Sequence, residues 1–453
     1  MSHGKRNRII DGAVFLALLA AVSAVTFTLF CRQVFEHYPS DMAAYILEMQ
    51  GLDSGYSFPY PVFFKLSAFI HLFAGAELSV AIATVLLNSL AIVITKASLN
   101  RMVLQDDRSC WWEGILVSLL AVSLFFISML YPPRGIYLPG IKHNYLGVFS
   151  PNPFHNATYM AARPFAILAF LWYVRLLPVY EGGLKTSRGK AEDGGARLSD
   201  YILFSVFLLL ATMTKPSFTI VLVSAAGLVM LYRLFRSGFR NFKPTVQLGL
   251  AFVPTFLNLL YQYRGVFVPA EGVEGGIGFC LGDVWRNACD NIPLAVCLIV
   301  AFPLLVLVLN FRELKANAMY RFSWQLFLAG LAENFLLYEK GFRKFDFNFS
   351  WGYMYGAFFC HMASLVLLCR KTLQAARGTE PEGQPAGKGT GGTGPEGQLA
   401  GKGTGGMGPE GRTSGKRAGL QYALLAAQWL AYLWHLACGI LYFRKYMSGA
   451  MYY

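Results

Sequence analysis

Charge is what this sequence has least of. Only 14% of its 453 residues are Asp, Glu, Lys or Arg, where soluble globular chains carry about 25%. A soluble multidomain protein is excluded on that ground. Long polar stretches are also scarce. Apolar runs of about 16–25 residues follow one another, close to the roughly 20 residues a helix needs to cross a bilayer. The alternation of apolar and polar residues over about ten positions that marks a transmembrane β-barrel is missing. The eight cysteines have no metal-ligand spacing. Most lie in or beside apolar runs, where thiols pack as small hydrophobes. Cys280 and Cys289 share one loop, and their spacing leaves both a disulfide and two free thiols open. No small-residue cleavage site follows the first apolar run, Ile9 to Cys31, so it reads as an uncleaved membrane helix.

What is present is a succession of apolar helices. Run length and Lys/Arg flanks predict an all-α polytopic membrane protein with eleven spans, near 9–31, 77–98, 112–131, 159–180, 199–214, 217–235, 246–265, 290–310, 322–338, 351–370 and 419–443. The net charge of +14 would suggest nucleic acid in a soluble protein. Here the charges sit in loops and no nucleic-acid-binding motif accompanies them, so the expected charged partners are membrane lipids and no nucleic acid. About two-thirds of the Lys and Arg fall on one side when the N-terminus is placed inside, which predicts a cell-membrane protein with a cytoplasmic N-terminus and an extracytoplasmic C-terminus. The fifteen residues PVFFKLSAFIHLFAG, Pro61 to Gly75, would invert every later loop if they spanned. They are read as an interfacial or re-entrant helix.

Three regions follow from composition. Residues 1–375 form the membrane body. Residues 376–418 carry PEGQPAGKGTGGTG, then PEGQLAGKGTGGMG, then PEGR, a Gly/Pro-rich repeat that cannot bury a core and is expected to be a disordered cytoplasmic linker. Residues 419–453 hold a last membrane helix and a short outer tail.

Polar chemistry collects in the outer loops. The first contains YPSDMAAYILEM. Ser40 is a plausible N-cap for a short surface helix starting at Asp41, with Met42, Tyr45, Ile46 and Met49 on one face. The second, YPPRGIYLPGIKHNYLGVFSPNPFHNATY, carries Arg134, Lys142, His143, His155 and Asn156 and no carboxylate. A later stretch, ENFLLYEKGFRKFDFNFSWGYMYG, carries Glu333, Glu339, Lys340, Arg343, Lys344, Asp346 and Asn348. Glu333 lies in an apolar run, where an ionised carboxylate costs about 2.5–3.5 kcal/mol at the bilayer centre. A neutral structural Glu and a site residue both remain open there. Trp111, Trp112 and Trp351 fit an interfacial belt. One carboxylate to take a proton from an acceptor hydroxyl, and several cations to hold a phosphate leaving group, suit a reaction at a lipid phosphate.

An Asp near the start of a surface helix, directly after the first membrane helix, resembles the layout of the GT-C superfamily of integral-membrane glycosyltransferases, which use polyprenyl-phosphate sugars. SPNPFHNATYMAARPF looks like the N-P-W/F-H-N-x-T segment of bacterial GT-C-like membrane proteins. EKGFRKFDFNFSWGY is similar to their E-x-G-x-R…N-F-x-W-G-Y segment. The resemblance covers most of residues 1–375. It implies Asp41 as catalytic base, His155 and Asn156 lining the site, and Arg134, Lys142, Arg343 and Lys344 on phosphate, with Lys215, in TKPSF, as a weaker candidate; Glu333 joins them as a substrate-binding candidate on its place in the apolar run. It implies a polyprenyl-phosphate sugar donor and a glycan, lipid or protein acceptor. Many such enzymes carry a second acid in the first loops. SDM stands here in place of an acidic pair, so a divalent metal is not favoured. The rival reading is a transporter or flippase of lipid-linked glycan, which predicts ionisable groups or broken helices at mid-membrane.

Overall fold

The computed structural model describes residues 3–104, 110–133, 137–143, 145–182, 196–267, 275–377 and 409–450. The chain is an all-α polytopic membrane protein. Helix α1 (His3–Phe35) leads to a short α2 (Met42–Met49) and α3 (Pro61–His71), then α4 (Ala76–Val103), α5 (Trp111–Ser123), α6 (Ala157–Gly182), α7 (Leu198–Thr214), α8 (Ser217–Arg236) and α9 (Phe242–Phe267). A strand β1 (Ile277–Phe279) and the turn α10 (Asp283–Arg286) precede α11 (Ile292–Ile299), α12 (Ala301–Leu309), α13 (Glu313–Ala316) and α14 (Ala318–Leu336). Then come β2 (Leu337–Glu339), a 3-10 turn Gly341–Phe345, α15 (Ser350–Ala376) and α16 (Pro409–Met447). The two strands pair antiparallel, Ile277 opposite Glu339.

Among the described residues, six helices are long and apolar enough to cross a membrane, at the first, second, fourth, sixth, tenth and eleventh expected spans. The eighth expected span is two helices, α11 and α12, bent by 75°. The bend is stabilised from outside. His435 of α16 accepts the Phe302 N–H at Nε2 (3.1 Å) and donates from Nδ1 to the Ser128 carbonyl (2.6 Å). This satisfies a backbone donor that the break leaves without a helical partner. The third and fifth expected spans are shorter helices, of 13 and 17 residues. The seventh and ninth are helical along α9 and α14. Pro61 to His71 is the expected separate short helix.

Helix α15 is the central post, buried along its whole apolar length. Its aromatic and sulfur-rich run, WGYMYGAFFCHM, is apolar all round, as a helix enclosed by others must be. It packs most closely on α14. A Cβ on Gly330 would lie 2.8 Å from the Tyr353 Cα, and one on Gly356 would lie 2.6 Å from the Phe327 Cα. The small residues therefore let the two backbones approach.

Most of the repeat segment, residues 378–408, lies outside the described residues. Helix α16 starts at Pro409, within the expected linker. That helix returns to the body. Trp429 donates to Thr372 (3.0 Å), Tyr432 bonds Ser123 (2.6 Å), and Arg32 of α1 donates to the Met447 carbonyl (2.6 Å). Cys280 and Cys289 are free thiols.

Candidate functional site

The first loop starts the site. Helix α2 begins at Met42, one residue later than the sequence suggests, with Asp41 in the cap position. The Ser40 hydroxyl accepts the Met42 N–H at 3.3 Å. The Asp41 carboxylate caps nothing. Its Oδ2 instead accepts from Asn156 Nδ2 at 2.5 Å and from the Tyr45 hydroxyl at 3.4 Å. Its backbone N–H donates to the His155 carbonyl at 3.1 Å. Met42 and Tyr45 are buried as the helical spacing predicts, and that burial seats the Asp41 end of α2 on the body.

Asn156 has two tasks. Its Oδ1 accepts the Tyr159 N–H (2.8 Å) and the Thr158 hydroxyl (3.0 Å), which caps α6. Its amide nitrogen reaches Asp41, 115 residues away in sequence. The loop before it is pinned at several points. Asn152 donates to the carbonyls of Leu124 and Ile127, Gln33 donates to that of Phe154, and buried Arg163 donates to that of Pro151. A loop tied this densely holds its side chains in fixed positions.

Lys215 joins this half of the site to a cavity. It terminates α7 in extended backbone, is 5% exposed, and donates from Nζ to Thr158 Oγ1 at 3.3 Å. Its ammonium stands over Trp351, 4.8 Å from the ring centroid, and 5.9 Å from that of Tyr60. Beyond it lies a cavity of about 370 Å³ between α8 and α9, roofed by the β1–β2 pair. Ile220, Leu259 and Leu260 make its apolar wall. Lys215, Glu333, Glu339 and Arg343 are its charged residues. Glu339 pairs with Arg343 (3.0 Å) and accepts from Asn348 (2.9 Å), which in turn accepts from Trp351 Nε1 (3.1 Å). Glu333 accepts the Ser224 hydroxyl at 2.6 Å.

Burial dominates the ionisation of these groups. It pushes the Asp41 carboxyl up from the usual carboxylate range, against the opposing pull of the Lys215 ammonium and of the hydrogen bonds from Asn156 and Tyr45. It pushes His155 down to about 3, with the Lys215 charge acting the same way, so that imidazole is neutral near pH 7. It pushes Lys215 down to about 8, partly offset by Asp41 and Glu339. Lys215 therefore stays mostly cationic at neutral pH.

The expected site residues divide into two sets. Asp41, His155 and Asn156 are neighbours, and Arg343 and Glu333 line the cavity that Lys215 shares with them. Lys142 is half-exposed and pairs with Asp290 at 2.8 Å. Lys344 is exposed and lies over Tyr338 and Phe345. Neither lines the cavity. Arg134 lies outside the described residues. Trp351 is not an interfacial residue: it is 7% exposed and floors Lys215, whereas Trp111 and Trp112 are exposed. Lys215 gains most from the structure. A lone Lys at a helix end reads as a topological flank, and only the Lys-Pro-Ser break that ends α7 and starts α8 hinted at more. Among the described residues, no three His, Cys, Asp or Glu side chains group closely enough to hold a metal ion. The chemical capacity of the site is thus a buried carboxylate near a buried ammonium that lines a mostly apolar cavity. Comparison with protein families, curated proteins and solved structures gives no match to this chain.

Proposed function

We propose that this chain is a membrane glycosyltransferase of GT-C type that moves a sugar from a polyprenyl-phosphate donor to an extracytoplasmic glycan, lipid or protein. The observation that carries the reading is Asp41. Its carboxylate is buried and left out of the cap it could have made, and Asn156 holds it beside the Lys215 ammonium. In the proposed step Asp41 accepts the proton of an acceptor hydroxyl. The oxygen attacks the anomeric carbon, and the carbon–oxygen bond to the donor phosphate breaks with inversion. The bonding pair leaves with the phosphate, and Lys215 and Arg343 bear the charge that develops on it. Neutral His155 and Asn156 line the acceptor side. The apolar wall of Ile220, Leu259 and Leu260 suits an isoprenoid chain arriving from the bilayer. In this reading eleven segments cross or enter the membrane, and the Asp41 face is extracytoplasmic, as the Lys/Arg distribution favours.

The test is transfer from radiolabelled polyprenyl-phosphate sugars into extractable glycan or lipid, in membranes holding the intact protein or Asp41→Asn at equal abundance. The expected result is transfer by the intact protein and a loss of about 10²–10⁴-fold in the variant, the range that a general base supplies. Equal transfer by both would remove Asp41 from the chemistry. Movement of lipid-linked glycan across the membrane without transfer would replace the enzyme with a flippase.

A further inference from the structure

The charges on the cavity wall do not cancel in pairs. Of the two cations and two carboxylates that line it, Arg343 and Glu339 neutralise each other at 3.0 Å, with Asp346 3.5 Å from the same guanidinium. Glu333 is left without a cation, and Lys215 without a salt-bridge contact, Asp41 and Glu339 reaching it only through their fields. Lys215 and Glu333 are both more than nine-tenths buried, and neither has an ion-pair partner among the described residues. The recorded partner of Lys215 Nζ is one hydroxyl, that of Thr158. The recorded partner of Glu333 is the Ser224 hydroxyl, on Oε1. Buried ions without counter-charge are strongly disfavoured. A chain that holds one of each sign on the same cavity wall is matched by a ligand that brings both opposite charges.

The backbone around them fits that division. Lys215 and Ser217 stand at the start of α8, where the first N–H groups of a helix lack intrahelical acceptors and attract anions. Glu333 Oε2 packs close to Gly352, where a Cβ would meet Val221 Cβ at 3.1 Å. A Cβ there would lie 3.1 Å from Oε2 and 3.4 Å from the Ser217 carbonyl oxygen. The carboxylate therefore lies near the first turn of α8, and it shares the cavity wall with Lys215. A neutral sugar phosphate would satisfy Lys215 and leave Glu333 unmatched.

We propose that the cavity binds a phosphoester that also carries a protonated amine, with the phosphate on Lys215 and the first turn of α8 and the ammonium on Glu333 Oε2. This rests on reading the cavity as the phosphate site of the proposed transferase. Two sources share the chemistry: a lipid-linked amino-sugar phosphate, and the headgroup of an ethanolamine phospholipid.

The experiment is calorimetric titration of the full-length protein in phosphatidylglycerol nanodiscs with glucosamine 1-phosphate, N-acetylglucosamine 1-phosphate and phosphoethanolamine. The free amine is expected to bind about tenfold more tightly than its acetylated counterpart, the scale of one charge-assisted hydrogen bond. Glu333→Gln should abolish that ratio, and Lys215→Met should weaken both sugar phosphates equally. The wild-type ratio alone decides if Glu333→Gln does not fold. Equal affinity of the two sugar phosphates, persistence of the ratio in Glu333→Gln, or no binding of any probe at millimolar concentration would each overturn the proposal. Binding of phosphoethanolamine as tight as that of the amino sugar, with competition from phosphatidylethanolamine nanodiscs, assigns the site to the headgroup. Preference for the amino sugar alone assigns it to the donor. Asp41-dependent transfer of neutral sugars together with equal affinities would sink this inference and keep the transferase. An amine preference without any transfer would do the reverse.

Discussion

Buried charge occurs in two settings in this molecule. At the ends of the helices far from the cavity, three clusters match their buried charges. Lys96 of α4 donates to Asp11 of α1 (2.9 Å), to Asn100 (2.8 Å) and to the Gly114 carbonyl (3.0 Å), while Ser118 of α5 donates to the same Asp11 oxygen (2.7 Å). Arg377 grips both oxygens of Glu113 at 2.8 and 2.9 Å. Glu181 of α6 takes Arg233 of α8 at 2.7 Å and Arg321 of α14 at 2.6 Å. These clusters stitch helices together and leave no valence for anything else. At the cavity end, Lys215 keeps one hydroxyl, Glu333 keeps one hydroxyl, and Asp41 is held by an amide instead of a cation. Matched buried ions serve the fold, and unmatched ones are held in place at a cost in stability that binding a ligand can offset.

The sharpest way to break this comparison is to remove one lysine from each setting. Lys96→Met strands Asp11 and should cost about 3–5 kcal/mol of stability, read as a lower melting temperature in detergent, with unchanged KM in the protein that remains folded. Lys215→Met should do the opposite: a loss of about 100-fold or more in transfer and phosphate affinity, on the scale of a buried charge contact, with a melting temperature unchanged or raised. If Lys215→Met melts early and Lys96→Met does not, the assignment of the two settings is inverted.

The pH dependence sharpens it next. Burial lowers the Lys215 pKa to about 8 from the ordinary lysine value of 10.5. Phosphate affinity should therefore be full below pH 8 and decline as pH rises through it. Stability should move the other way. Between about pH 8 and 10.5 the unfolded chain binds the proton that the folded chain has lost, so the Lys215 contribution to stability rises with pH. On the acid side, Asp41 must be ionised to act, so transfer should fall as pH drops through its raised pKa. A transfer profile without an alkaline limb near pH 8 would remove Lys215 from the site.

A smaller effect is expected for Asn156→Ala, about tenfold in transfer. The acid limb should also move upward, because the Asn156 hydrogen bond opposes the burial that raises the Asp41 pKa. A loss of activity without that displacement would make Asn156 only the cap of α6. Smallest are Lys142→Ala and Lys344→Ala. Lys142 pairs with Asp290 in a solvent-screened bridge and Lys344 lies on an exposed aromatic surface. Each should change transfer less than about twofold, in line with exposed ion pairs worth roughly 0–1 kcal/mol.

Much of this was legible from residue order. Long apolar runs announce helices because an unpaired backbone in lipid is so costly, and the helices lie where the runs are. The periodicity of Met42, Tyr45, Ile46 and Met49 gave the buried face of α2. Asp41 stood out as a carboxylate at the start of a short surface helix. Hydropathy does not, however, tell a straight span from a bent one. Val300 is apolar on both sides of the break, and what stabilises the 75° bend is His435, more than 130 positions later. Nor does spacing reveal pairing. Lys142, Lys344 and Lys215 are all lysines between apolar runs. They differ only in what packs against them, which is Asp290, a pair of exposed rings, and Trp351 above a cavity.

By itself the sequence determined the chemical class of each segment: which stretches must leave water, which carry charge, and that the aromatic, basic loop has no carboxylate of its own. Those properties are local, set by side-chain transfer energies and by a helical repeat of a few residues. Only the tertiary structure decided which charges meet. Asp41 and Asn156 are joined across 115 residues. Glu333 is directed to Ser224, and Lys215 is set among Thr158, Trp351 and the field of Asp41 because α7 and α8 break where α6 and α15 meet them. Coulomb energy depends on distance and burial, and neither is a property of order along a chain.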